Sequence, residues 1–167
     1  MKPDYQFPPQ VIAKGAELGY EPYKLPLLFL VPFIQVAWAE GHFQASEQKA
    51  ILSFAGNLRV HPGHSDYERL VSWFDERPTD EFFARSIEDL RELLDGIPAN
   101  QAARLRSMLR FGCVEVAQAA GDIGMLRGRS NIRREERDQL QYIGERLGLT
   151  QIDGTNPLDL RRSENGW

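Results

Sequence analysis

The chain is predicted to be all-helical, a compact bundle of about seven helices, on three observations. Apolar residues recur at i, i+3, i+4 and i+7 in segment after segment, which is the period of a helix with one buried stripe. Strand-type alternation never runs over a useful length. Prolines and glycines fall at the edges of the periodic segments, where helices start and stop.

Taken in order, Pro9 opens a short first helix that ends near Gly19. Residues 25–39 form the longest apolar run, with Pro26 in its first turn. That run is shorter than the roughly 20 residues of a bilayer span, and Pro32 and Gln35 interrupt it. It reads as a buried core helix with a kink or break at Pro32. A third helix follows Gly41 and carries Ile51, Phe54, Ala55 and Leu58 on one stripe. Ser65 with Glu68 reads as a capping box opening a fourth, whose stripe is Tyr67, Leu70, Val71 and Phe74. Thr79 caps a fifth helix, striped by Phe83, Ile87, Leu90 and Leu94, which stops at Gly96. Pro98 opens the long sixth, where Leu105, Met108, Leu109, Gly112, Cys113, Val116, Ala117 and Ala120 share a face until Gly121 ends it. After the loop at 121–131 a seventh helix runs to about Leu147. The organisation is therefore an N-terminal segment with a short helix at 1–24, a helical domain at 25–149, and an aperiodic, loose tail at 150–167.

Composition narrows the classes. A chain of 167 residues, 42% hydrophobic and 26% charged, matches one globular domain with one core. Cys113 is the single cysteine, so an intrachain disulfide and a thiolate zinc site are both excluded, and a reducing compartment fits. The first ten residues lack the basic-then-apolar build of a signal peptide, which points to the cytoplasm. The net charge of −4 hides an asymmetry: residues 1–100 hold 15 acids against 9 bases, and residues 101–167 hold 9 against 11. Neither half is the strongly basic field of a nucleic-acid binder, so other proteins are the favoured partners.

Two stretches repeat. Residues 36–41 read Val-Ala-Trp-Ala-Glu-Gly and residues 116–121 read Val-Ala-Gln-Ala-Ala-Gly. Beyond the first glycine come Phe43, Glu47, Ile51, Phe54, Ala55 and Leu58; beyond the second come Ile132, Glu136, Leu140, Ile143, Gly144 and Leu147. Each unit is a helix rich in small residues, a glycine able to turn left-handed, an apolar plug, and a second striped helix. Neither can bury its apolar face alone, so an internal pseudo-two-fold arrangement is expected, with the fourth and fifth helices bridging the units.

The run Ala-Trp-Ala-Glu-Gly-His-Phe-Gln-Ala-Ser-Glu, echoed as Ala-Gln-Ala-Ala-Gly and Ile-Arg-Arg-Glu-Glu, resembles the TerB-like family. That family is named for tellurite-resistance proteins and includes the membrane-proximal domain of some DnaJ-like co-chaperones. The resemblance covers about residues 25–149. It implies an all-helical, internally two-fold domain, a role in stress or chemical-resistance systems, divalent-cation binding at the acidic loops, and no established catalysis. The chain departs from the pattern at Glu40, where aspartate is common, at Ala120, which replaces the matching acid, and at Gln44 and Arg133, where a Ser or Thr cap is usual.

The candidate cation ligands are Glu40 and Glu47 in the first unit and Asp122 and Glu136 in the second, an all-oxygen set suited to a hard ion such as calcium. A competing reading stands beside it: a glutamate in a first helical turn serves free backbone amides and the helix dipole with or without a metal. An EF-hand fails on spacing, because Ile51 stands where its bidentate glutamate would be needed, and Gly124 and Leu126 spoil a loop begun at Asp122. His61 and His64 in His-Pro-Gly-His read as exposed turn residues, and Cys113 as a small core residue. Arg127, Arg129, Arg133 and Arg134 form a candidate anion or partner site, although Glu135, Glu136 and Asp138 interleave with the cluster. No phosphate loop, nucleophile elbow or metalloprotease helix is legible, so the chain is read as a binding or scaffold module rather than an enzyme, with an Arg-rich adaptor for an acidic protein or nucleic acid as the alternative.

Overall fold

The computed structural model describes residues 7–120 and 132–149. Among them the chain is all-helical, with no strand: α1 (Pro9–Glu17), α2 (Leu25–Ala37), α3 (Ala45–Asn57), α4 (Ser65–Asp75), α5 (Asp80–Asp95), α6 (Ala99–Ala120) and α7 (Arg134–Leu147). Asp122, Arg127, Arg129, the loop at 121–131 and the tail at 150–167 lie outside the described residues. No helix in the described part is long and apolar enough to cross a membrane.

α2 is the axis of the bundle. Ten of its thirteen residues are buried, and it packs against α3, α4, α5, α6 and α7. A helix apolar on every side has to sit inside the protein. Phe29, Leu30, Phe33 and Ile34 are wholly buried, each contributing roughly 1.5–3 kcal/mol. This explains a correction to the sequence reading: α2 runs through Pro32 without a break. An internal proline costs about 3 kcal/mol, which burial of the flanking side chains outweighs.

α6 comes close to α2 because Gly112 faces Phe33; a β-carbon there would run into the Phe33 ring. The expected α6 stripe is buried at Leu105, Leu109, Cys113, Val116 and Ala117, as are Val36 and Ala37 on α2. On α5 the stripe of Phe83, Ile87, Leu90 and Leu94 turns inward, and α7 lies along that helix. Phe43 plugs the first loop, 5.5 Å from the Trp38 ring and 4.9 Å from Phe74, and Ile132 is buried before α7.

Two helix starts show how local chemistry acted. The Thr79 hydroxyl accepts from the Phe82 amide at 3.1 Å and caps α5 as expected. For α4 the expected Ser65 capping box is corrected: His64 is the cap position, Ser65 is already helical, and no side chain caps the end. Asp66 and Glu68 occupy the first turn instead, supplying the negative charge that a helix start favours.

Candidate functional site

The site is built from the starts of α3 and α7. In each, a glutamate stands at the third helical position and reaches back to the amide of the cap residue: Gln44 N–H to Glu47 Oε2 at 2.8 Å, and Arg133 N–H to Glu136 Oε2 at 2.9 Å. This is half of a capping box. The reciprocal half is missing in both, since Gln44 Oε1 has no hydrogen-bond partner in the protein and arginine has no acceptor to offer.

The packing of α2 against both α3 and α7 carries these two acids inside, where Glu47 is 2% and Glu136 1% exposed. Burial pushes both carboxyls up to about 7, because the charged form loses its hydration. The cap hydrogen bonds oppose that rise, and mutual repulsion adds to it: Glu136 and Glu40 act on Glu47, and Glu40 acts on Glu136. Glu40 belongs to the turn beyond α2 rather than to the helix itself, which ends at Ala37, and Gly41 follows with φ +82°. That left-handed turn is cheap only for glycine. The three glutamates thus form one acidic junction at the turn after α2 and the starts of α3 and α7, where the sequence reading had treated Glu40 with Glu47 and Asp122 with Glu136 as separate pairs.

Among the described residues counter-charge is sparse. Arg133 Nη1 donates to Glu40 Oε2 at 3.1 Å, and His42 Nε2 lies 3.8 Å from the same oxygen. Among the described residues Glu40 Oε1 and Glu136 Oε1 are buried without a hydrogen-bond partner, and so is Gln35 Oε1 nearby in sequence on α2, whose amide instead donates to Gln139 of α7 at 3.1 Å. Buried acceptors of this kind are rare and call for a donor or a cation. The donor set is oxygen throughout, which suits a hard cation. As the side chains stand, no three His, Cys, Asp or Glu among the described residues are placed to hold a metal ion by themselves. Glu47 and Glu136 each spend an oxygen on a helix cap and Glu40 spends one on Arg133.

The remaining candidates fall elsewhere. Arg133 points to Glu40, while Arg134 is exposed at the first position of α7. His61 and His64 are exposed in their turn, and Cys113 is wholly buried, with burial pushing its thiol far up. Sequence reasoning missed the Arg133–Glu40 pair, which joins residues 93 apart. It also missed a cleft of about 550 Å³ between α2, α4 and α5, bordered by Tyr23, Trp73 and Phe82. No family model matches this chain, and no curated protein or solved structure matches it either.

Proposed function

We propose that the chain is a non-enzymatic, TerB-like helical binding module of a stress-response system of the tellurite-resistance kind, and that Glu40, Glu47 and Glu136 take up a divalent hard cation such as calcium. The observation that supports this is the electrostatic coupling of three carboxylates at the turn after α2 and the starts of α3 and α7, two of them with a buried oxygen that has no hydrogen-bond partner among the described residues. A bound cation would supply the charge that burial and mutual repulsion withhold. It would also tie the turn after α2 to the start of α7, so that binding stabilises the fold in proportion to ligand excess. Affinity is expected to be weak, because few protein ligands converge and water would complete the shell.

Calorimetric titration of calcium and of magnesium tests the reading on the wild type, Glu47→Gln and Glu136→Gln. Glutamine keeps an oxygen for the cap amide while removing the charge. Heat of binding in the wild type and its loss in both variants is the expected result. A wild type that takes up neither ion, or variants that bind as well as the wild type, would leave these glutamates as helix caps.

A further inference from the structure

We infer that Arg133 is a tethered counter-ion of the acidic junction, one that holds Glu40 in the absence of a bound cation and must release it for a cation to enter. The inference rests on the cation reading above and adds a competitor built into the chain.

The two partners of the ion pair have very different surroundings. The Glu40 side chain is 8% exposed, whereas that of Arg133 is 62% exposed. Arg133 can therefore leave into water at small cost, while Glu40 cannot follow it. One Glu40 oxygen is taken by Arg133 and the other is buried without a hydrogen-bond partner among the described residues. On the α7 side, Glu136 is 1% exposed and also keeps an unpartnered oxygen. It takes its cap bond from the Arg133 backbone and not from the guanidinium, so the side chain can swing away without uncapping α7.

Charge supports the same conclusion. At the matching cap of α3 the residue is Gln44, which is neutral, so only one of the two caps carries a cation. Among the described residues the Arg133 guanidinium pairs with Glu40 and acts on Glu136, which leaves more negative than positive charge for a divalent ion to meet. Among the described residues, His42, exposed and 3.8 Å from Glu40, and Glu135, which repels Glu136, are further ionisable groups nearby. With Arg133 in place, each of the three carboxylates has one oxygen already engaged.

The test compares wild type, Arg133→Gln and Arg133→Lys by calcium calorimetry and by thermal melting with and without calcium. If Arg133 holds Glu40 for about nine-tenths of the time, freeing the site tightens calcium binding about tenfold. Arg133→Gln is therefore expected to melt below the wild type without calcium, to bind calcium about tenfold more tightly, and to gain more from it. Arg133→Lys, which keeps the charge, should stay near the wild type. Binding seen only in Arg133→Gln would also support the inference. Equal or weaker binding by Arg133→Gln would overturn it while leaving the cation site standing. No binding by either protein would overturn the cation reading itself, and a lowered melting point of Arg133→Gln would then mark a fixed ion pair.

Discussion

α3 and α7 share one backbone arrangement at both ends, yet they differ in the residue at the cap position and in the left-handed residue beyond the last turn. Each begins at an extended cap residue whose amide is taken by a buried glutamate. Each ends on a left-handed residue, Arg59 at φ 66° and Gly148 at φ 68°. Each is closed by an amide reaching five residues back, Val60 to Ala55 and Leu149 to Gly144, both at 2.8 Å. The offset from 47 to 136 is also the offset from 55 to 144 and from 59 to 148. The differences are Gln44 against Arg133 at the start and Arg59 against Gly148 at the end. Backbone closure is thus held in register, while the cap side chains, which closure does not use, carry the difference in charge.

The largest expected way to break the likeness is through pH. Glu47 and Glu136 rise from an ordinary value of 4.5 to about 7 on folding, so the folded state binds protons more tightly than the unfolded one. Their favourable contribution is complete below about pH 4.5 and is lost as pH rises through about 7. Each carboxyl accounts for a loss on the order of 2–3 kcal/mol across that window. Denaturant unfolding at pH 4.5, 6 and 8 without divalent ions should show wild-type stability falling in this range. Glu47→Gln and Glu136→Gln should each flatten the fall by a similar amount. If only one does, the two starts are alike in geometry but not in electrostatics.

A second effect concerns the helices that lead into these starts. Val36 and Ala37 on α2, and Val116 and Ala117 on α6, are all buried, on two helices that pack together and come close where Gly112 faces Phe33. Replacing Ala37 or Ala117 by Leu should overpack this contact and cost on the order of 1–3 kcal/mol. Similar costs at the two positions would support an internal two-fold relation of the whole units. An unchanged denaturation midpoint at either position removes that position from the interface.

Much of the fold was legible because it rests on local period and punctuation: Thr79 as a cap, Gly96 as a stop, and the α5 and α6 stripes all follow from short-range chemistry. The break allowed at Pro32 does not occur, because local rules weigh a proline without knowing that the helix is buried on every side. Ser65 was misread because a capping box in sequence does not fix which residue enters the helix first. At the site, Glu47 and Glu136 were legible as helix-start acids. Their meeting with Glu40 and the pairing of Arg133 across 93 residues depend on packing, which no spacing rule reports.

The smallest expected effect sharpens the comparison at the other end of the two helices. A non-glycine residue in the left-handed region costs roughly 1 kcal/mol or a little more, and α3 bears that cost at Arg59 while α7 avoids it with Gly148. Space does not explain the choice, since a β-carbon at Gly148 would meet only Arg106 Nε, at an ordinary 3.6 Å. Gly148→Ala should therefore cost about 1 kcal/mol from backbone strain, offset by a few tenths from reduced freedom of the unfolded chain. The α7 closure itself, from Leu149 to Gly144, should survive, as its counterpart does beside Arg59. Denaturant unfolding gives the cost, and hydrogen exchange at the Leu149 amide reports whether the closure persists. A large loss of protection at that amide would mean that α7 depends on glycine where α3 does not, and the likeness of the two ends would then stop at their geometry.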